Sequence, residues 1–264
     1  MRVRDWLTLA EQQIDRADAR ILFCFAVNWD RAQVMARLDH PVPPDYLETL
    51  SGLLAERALG VPLAYLVGSQ EFFGRPFLVN EAVLIPRPDT ETLIEVALGL
   101  GLPEGARVLD VGTGSGCIAL TLAAERPSWD VTGVDISADA LAMARANAHQ
   151  LKIRATLEMS DLFQHTPGPW DLVVSNPPYI GRDETLPREV REFEPDQALF
   201  AEESGLAIYR RLADEGRAHT PLMLVEIGYL LAETVPAVFA EYGWSLVSST
   251  RDLAGIERAQ LFRQ

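Results

Sequence analysis

The sequence predicts an α/β fold, a mostly parallel sheet of seven strands covered on both faces by helices, attached to a small helical N-terminal domain. Three observations carry this expectation. From Ala106 onward, short apolar runs alternate with segments of helical periodicity, as strands joined by crossover helices do. Residues 1–70 carry apolar side chains at helical spacings, with no strand-like run to interrupt them. The last two strand-like runs, 244–250 and 259–263, are joined by a short connection that begins RDLAGIE, with no intervening helix, so the sheet should end in an antiparallel pair.

Taken in order, Trp6, Leu7, Leu9 and Ala10, then Ile14, Ala19, Leu22, Phe23 and Ala26, mark helical faces. His40-Pro41-Val42-Pro43-Pro44 breaks the pattern, because proline removes a backbone donor and fixes φ. Tyr46, Leu47, Leu50, Leu53 and Leu54 resume it as far as Gly60. Residues 71–85 change to aromatic and β-branched types around Gly74-Arg75 and Asn80-Glu81, which reads as a β-hairpin linker. Pro88, Asp89 and Thr90 suit a helix N-terminus. The α/β part then spans 86–264. Its expected strands are 106–111, 130–136, 155–159, 171–175, 221–227, 244–250 and 259–263, and its expected helices 115–125, 137–151, 203–217 and 230–242.

The chain has 264 residues, 48% of them hydrophobic and 23% charged, with a formal net charge of −15. That excludes general disorder, which needs low hydrophobicity with high charge. The only cysteines, Cys24 and Cys117, are far apart in sequence and neither belongs to a CxxC, so a reduced, cytoplasmic protein is expected. No unbroken apolar h-region opens the chain, and no stretch reaches the ~18 apolar residues of a membrane span. Residues 1–85 hold eight arginines against 11 acids, and residues 86–264 hold 15 bases against 27 acids. Neither part is basic, and phosphate binding is driven by clustered Lys and Arg, so no stable nucleic-acid binding is expected.

Asp110-Val111-Gly112-Thr113-Gly114-Ser115-Gly116 lies between the first strand of the α/β part and its helix. Glycines there let the backbone approach a ligand beside the amide-rich helix N-terminus. Asp135 ends the next strand, where a carboxylate can accept both hydroxyls of a ribose. Loop, helix, strand and acid together specify a nucleoside-bearing cofactor. The glycines fall at 112, 114 and 116 rather than as GxGxxG, and the Asp110 carboxylate would repel a pyrophosphate but welcome the cationic sulfonium and amino groups of S-adenosylmethionine. A bare strand–helix turn and an NAD(P) site are the alternatives. Asp161, Leu162 and Phe163 follow the third strand, either as a polar and apolar wall for adenine or as an ordinary strand-end cap.

Strand 171–175 runs directly into Asn176-Pro177-Pro178-Tyr179. Ligands bind at the carboxyl ends of strands in such sheets, so this tetrapeptide should face the same crevice. Its chemistry suits holding a planar NH2. The Asn176 side-chain oxygen and the Pro177 carbonyl can each accept one N–H, drawing the delocalised lone pair toward a methyl donor. The prolines remove competing donors, and Tyr179 offers a flat face for stacking. An Asn-Pro-Pro turn with no chemistry is the bland alternative.

The glycine loop, Asp135 and Asn176–Tyr179 together resemble the class I S-adenosylmethionine-dependent amino-methyltransferases. Further stretches narrow the resemblance to the bacterial release factor glutamine methyltransferases, the PrmC/HemK family. These are 60–68 (GVPLAYLVG), 71–74 (EFFG), 85–91 (IPRPDTE), 110–120, 175–180, 193–199 (FEPDQAL), 205–212 (GLAIYRRL), 226–228 (EIG) and 252–258 (DLAGIER). The resemblance is close to full length. It implies a Rossmann-like methyltransferase domain and a cofactor, S-adenosylmethionine, whose methionine part meets Gly112–Gly116 and whose ribose meets Asp135. Its adenine is then lined by Leu162 with Asp161 and Phe163. Asn176, Pro177, Pro178 and Tyr179 would hold the substrate glutamine. The resemblance also implies that residues 1–70 recognise a class I peptide chain release factor, whose GGQ loop enters the site; a monomer is expected. Asp89, Ala201-Glu202 and Leu231 depart from the family's usual Glu, Gly-Gly and Gln.

Two other functions compete: a methyltransferase acting on an exocyclic amino group of adenine or guanine in DNA or rRNA, and a non-catalytic cofactor-binding adaptor. The first must work against the average charge, and the second predicts a broken loop or clamp, whereas both are intact. Cys117 reads as a small residue packed behind the loop rather than a thiolate. His40, His149, His165 and His219 show no metal-ligand spacing. The acidic run 189–196 either guides a partner or is a solvated loop. Arg87 either reaches the site or ties the hairpin to the sheet. Glu226 and Asp110 could serve as acid and base, although transfer from a sulfonium needs no strong base at the start.

Overall fold

The computed structural model describes residues 1–166 and 168–264. These divide into two compact units, 1–69 with 186–193, and 70–185 with 194–264.

The first unit is helical: α1 (Val3–Ala10), α2 (Arg16–Val27), α3 (Arg31–Ala36), α4 (Leu47–Ala58) and α5 (Leu63–Val67). Its starts are set by side chains. Asp15 accepts the Ala17 amide at 2.6 Å, and Asp30 accepts that of Gln33 at 2.7 Å, satisfying donors that a first turn leaves free. Phe23 is fully buried with Trp6 at 5.3 Å and Trp29 at 6.3 Å between ring centroids. Burying such a side chain contributes about 1.5–3 kcal/mol. Leu9, expected on the inner face, is instead exposed. Residues 186–193 belong to this unit although their sequence position suggested the α/β part. Arg57 of α4 bridges Asp18 at 2.7 Å and Glu189 at 3.0 Å.

In the second unit, β1 (Ser69–Phe72) and β2 (Arg75–Leu78) form a two-stranded sheet, shorter than the 71–85 hairpin expected. After α6 (Glu91–Gly99) come β3 (Arg107–Val111), α7 (Cys117–Glu125), β4 (Asp130–Asp135), α8 (Ala138–Leu151), β5 (Thr156–Met159) and β6 (Leu172–Ser175). After α9 (Arg188–Phe193), which belongs to the first unit, the chain continues through short helices α10 (Asp196–Leu199) and α11 (Glu202–Gly205) into α12 (Ala207–Gly216). It finishes with β7 (Leu222–Glu226), α13 (Thr234–Glu241), β8 (Ser245–Arg251) and β9 (Glu257–Arg263). The seven-stranded sheet has the order β5-β4-β3-β6-β7-β9-β8. Only β9 runs against its neighbours, so the mostly parallel sheet ends in the expected antiparallel pair.

Each central strand buries both faces. Val108, Val174 and Leu224 join one core cluster, while Leu109, Val173 and Val225 join another on the opposite face. Alternate side chains point to opposite sides of a strand, which is why these strands read as continuous apolar runs. Two expected helices are shorter than their periodicity suggested. The 203–217 helix is broken because Glu203 and Ser204 adopt left-handed φ of 55° and 56°. The 230–242 helix starts at Thr234, with Pro236 in its first turn, where alone its missing N–H and ring are tolerated.

Candidate active site

The chain leaves β3 for β4 on one side of the sheet and returns for β6 on the other, which makes the β3/β6 boundary the switch point where such sheets bind ligands. Val111 pairs with Ser175, and Val134 pairs with Val111. Gly112, Asp135 and Asn176 therefore leave three adjacent strands at one level. A single cavity is lined by residues of all three ends, among them Gly112, Thr113, Gly114, Ser115, Asp135, Asn176, Pro177 and Pro178.

The loop owes its shape to glycine. Gly112 and Gly114 have φ of +75° and +55°, a region that side chains disfavour. Nothing lies within 4 Å of where their Cβ atoms would be, so the backbone edge is open to a ligand. The Gly112 and Thr113 amides both donate to the Val134 carbonyl at 2.9 Å, and the Gly114 amide donates to Asp135 Oδ2 at 2.9 Å. Asp135 Oδ1 accepts the Ser137 amide at 2.9 Å. Burial pushes its carboxyl group up from the usual range, and those amides pull it back. Helix α7 begins only at Cys117 because Gly116, at φ +82°, ends the loop in a left-handed turn.

Asp110 is placed differently from the expectation that it meets the cofactor directly. It is fully buried beneath the loop and does not line the cavity. Its Oδ2 accepts the Thr113 hydroxyl at 2.6 Å and the Ala119 amide at 3.1 Å, while Oδ1 has no partner. Burial pushes the carboxyl up to about 7, against the pull of those two donors. The carboxyl thus braces the loop against α7. Gly116 likewise packs behind the loop, 3.1 Å from Leu120 at the position a Cβ would take, and does not line the cavity.

Asp161 and Leu162 line the cavity, but Phe163 does not. Its ring stacks on His219 at 4.9 Å within one of the two core clusters, because Leu162 takes a left-handed φ of 49° and carries the next residue inward. Asp161 Oδ1 accepts Arg211 Nη1 at 2.8 Å, so a residue of α12 joins the wall. Sequence reasoning missed Arg211, whose place comes from packing and not from any local motif.

Asn176 Nδ2 donates to Thr90 Oγ1 at 3.3 Å, leaving the side-chain oxygen as the free acceptor. Tyr179 does not line the cavity. Its hydroxyl donates to Glu226 Oε1 at 3.3 Å, and a Cβ on Gly228 would come within 2.9 Å of its ring, so the Gly228 backbone lies against one edge of the ring. Burial first, then the nearby Glu226, raises its phenol well above the ordinary value. Glu226 is itself buried, and burial pushes it up to about 7. Arg87 lines the cavity, and it pairs with the buried Glu194 rather than tying the hairpin to the sheet. The acidic run 189–196 is correspondingly no uniform solvated loop. Cys117 lines the cavity with a thiol pushed by burial up to about 12.

Residues 3–68 match the family model described as PrmC N-terminal domain, and residues 90–195 match Methyltransferase small domain. A release factor glutamine methyltransferase from Koribacter versatilis is 42% identical over 98% of this chain and 94% of its own length. The chain belongs to the release factor glutamine methyltransferase family. A second member, from Salmonella typhimurium, is 41% identical over 98% of this chain and 97% of that protein. Among solved structures, a methyltransferase from Pyrococcus furiosus superposes with a TM-score of 0.56 at 18% identity, covering 81% of this chain and 98% of that one, which shows the shared fold.

The release factor glutamine methyltransferase family uses S-adenosylmethionine, and the residues here fit it. The open backbone N–H edge of the glycine loop suits an anionic group, and the buried Asp110 carboxyl beneath it, with an unpartnered oxygen, suits a cationic one. A carboxylate at the neighbouring strand end suits vicinal hydroxyls. Among the described residues no cluster of His, Cys, Asp and Glu is arranged to hold a metal ion, and no helix is long and apolar enough to cross a membrane.

Proposed function

We propose that this chain transfers a methyl group from S-adenosylmethionine to the side-chain amide nitrogen of the glutamine in the GGQ motif of class I peptide chain release factors. One observation carries the reading. The level ends of β3 and β6, with Val111 opposite Ser175, set a nucleoside-type glycine loop and an amide-holding tetrapeptide on one cavity. Relatives that share 41–42% of their residues over nearly the whole chain bear that activity in their names.

When bound, the cofactor supplies an electrophilic methyl carbon on a cationic sulfur. Asp135, held by the Gly114 and Ser137 amides, accepts from the ribose hydroxyls. Leu162 and Asp161 border the adenine. Asn176 Oδ1 and the Pro177 carbonyl accept the two N–H of the substrate amide, which localises the nitrogen lone pair. That nitrogen must sit ~3–3.5 Å from the methyl carbon, so positioning and electrostatics supply most of the rate. Once the C–N bond forms and the S–C bond breaks, the nitrogen carries two acidic hydrogens. One leaves to water, and the N-methyl amide keeps the other.

In this reading residues 1–70 recognise the release factor, 71–85 link the parts and 86–264 carry the chemistry, as a monomer in the cytoplasm. A net charge of −15 favours a basic protein loop over phosphate-rich nucleic acid. The test is methyl transfer from labelled S-adenosylmethionine to purified release factor, to its Gln→Ala variant at the GGQ motif, and to DNA and rRNA. Label should appear on the intact factor alone. Label on nucleic acid, or label kept by the variant, would overturn the proposal.

A further inference from the structure

The wall that α12 gives the cavity owes its polar part to one side chain. The helix turns Tyr209, Leu212, Ala213 and Gly216 into the core. Ile208 and Arg211, three residues apart and so neighbours on one flank of the helix, line the cavity instead. The Arg211 guanidinium is held between two carboxylates. Its Nη1 donates to Asp161 Oδ1 at 2.8 Å, and its Nε and Nη2 each lie 2.9 Å from Glu215 Oε1. Glu215 stands one turn further along the same flank and does not line the cavity, so it fixes the guanidinium from behind.

Asp161 needs such a partner if a base is to cover it. A flat ring laid against the carboxylate strips water from it, which is costly for an unpaired charge. Gln164 Nε2 reaches Asp161 Oδ2 only at 3.5 Å, the outer limit of a hydrogen bond, so Oδ2 is the oxygen left to serve a ligand. A carboxylate bound to a guanidinium only accepts. It suits the exocyclic amine of adenine, which offers hydrogens, whereas an oxo group at that position would set acceptor against acceptor. The guanidinium is planar and permanently charged, so it fixes the direction of the carboxylate as well as pairing its charge.

We propose that Arg211 is a positioning residue that sets the base specificity of the cofactor site: by holding Asp161 Oδ1 it aims Oδ2 at the exocyclic amine of the adenine, so that the pair selects an amino purine over an oxo purine. The inference rests on the adenine placement in the function proposed above.

The test is calorimetric binding of S-adenosylhomocysteine and of S-inosylhomocysteine, which carries an oxo group in place of the amine, with Tm for each protein. The proteins are the wild type, Arg211→Met, Asp161→Asn and Arg210→Met. The wild type should bind the adenosyl ligand about 10- to 100-fold more tightly, as for one hydrogen bond to a charged group. Arg211→Met keeps an unbranched apolar stem and removes the guanidinium. It should cut the ratio by about tenfold, chiefly by weakening the adenosyl ligand. Its Tm should stay near wild type, because the side chain is 38% exposed and exposed ion pairs contribute little. Asp161→Asn should bring the ratio to about threefold or less, since a carboxamide can turn either an acceptor or a donor to the base. Arg210→Met removes the same charge from the neighbouring residue, which pairs with Glu203 at 2.9 Å and Glu241 at 2.6 Å away from the cavity, and should keep the wild-type ratio. A folded Arg211→Met with the wild-type ratio overturns the inference, as does an Arg210→Met that loses the ratio equally, which would mark a general effect of charge. Should Arg211→Met not fold, Arg211→Ala decides by the same measure. A wild-type ratio near one, or an Asp161→Asn that keeps the wild-type ratio, overturns the inference together with the adenine placement. A wild type that binds no S-adenosylhomocysteine would instead sink the functional reading itself, and that outcome is seen without any variant.

Discussion

The Ser175 hydroxyl donates to the Val111 carbonyl oxygen at 2.8 Å. The two residues are also paired across β3 and β6, so this bond ties together the last residues before the glycine loop and before the Asn176 tetrapeptide. A carbonyl buried between two strand ends would otherwise lack this partner. Ser175→Ala should therefore cost about 1–2 kcal/mol of stability, read as a lowered midpoint in chemical denaturation. Turnover should fall with it, because both halves of the site lose their common anchor.

Asp135 holds the Gly114 and Ser137 amides through its two oxygens. Asp135→Ala removes that brace together with the acceptor proposed for the ribose. Cofactor Kd should rise by roughly 10- to 100-fold, the equivalent of about 1.4–2.8 kcal/mol. Isothermal titration with S-adenosylmethionine reads it, and Asp135→Asn should lose less because one acceptor oxygen remains.

Gly205 sits at φ +89°, and a Cβ there would stand 2.1 Å from the Tyr179 carbonyl oxygen. Neither the conformation nor the contact tolerates a methyl group. Gly205→Ala should cost about 1–3 kcal/mol through backbone strain alone. It should also reduce kcat, because relieving the clash moves the end of the clamp. A kcat equal to wild type in the folded variant would mean that Tyr179 can shift without consequence.

Asp110 links stability and cofactor binding to pH. Burial raises its folded value to about 7 from 3.8, so between these values the folded protein keeps a proton that the unfolded chain has lost. Its contribution to stability is fully present below about 4 and is lost as pH rises through about 7. Asp110→Asn should flatten that part of the profile in denaturation experiments. A cationic cofactor favours the ionised carboxylate, so S-adenosylmethionine should bind more tightly at pH 8 than at pH 6. Asp110→Asn should reduce the difference, leaving only what Glu226, also pushed up to about 7 by burial, contributes.

Much of the fold was legible in the sequence, and so were several residues that line the cavity. Strands buried on both faces, such as 107–111 and 222–226, announce themselves as apolar runs. The positive φ of Gly112 and Gly114 explains why those positions hold glycine. Errors arose where neighbours along the chain do not decide the outcome. Periodicity suggested one helix over 203–217, yet left-handed turns at Glu203 and Ser204 interrupt it. Phe163 looked like a wall for a ligand, but an aromatic ring fits a core equally well, and packing took it.

The sequence by itself determined the chemistry available: a glycine loop followed by Asp135, and an Asn-Pro-Pro-Tyr at a strand end, both dictated by local backbone geometry and side-chain type. Only the tertiary structure decided how those groups are backed. Asn147 is an example. Its Nδ2 donates to the Ser115 carbonyl at 2.9 Å and to the Leu78 carbonyl at 3.0 Å, and its Oδ1 accepts the Leu78 amide at 2.6 Å, joining the loop, α8 and the hairpin. Arg211 against Asp161, Thr90 against Asn176 and Glu226 against Tyr179 are of the same kind. The partners stand 32 to 86 residues apart in the chain. Their meeting depends on strand order and register, which are properties of the whole sheet that no local run of residues encodes.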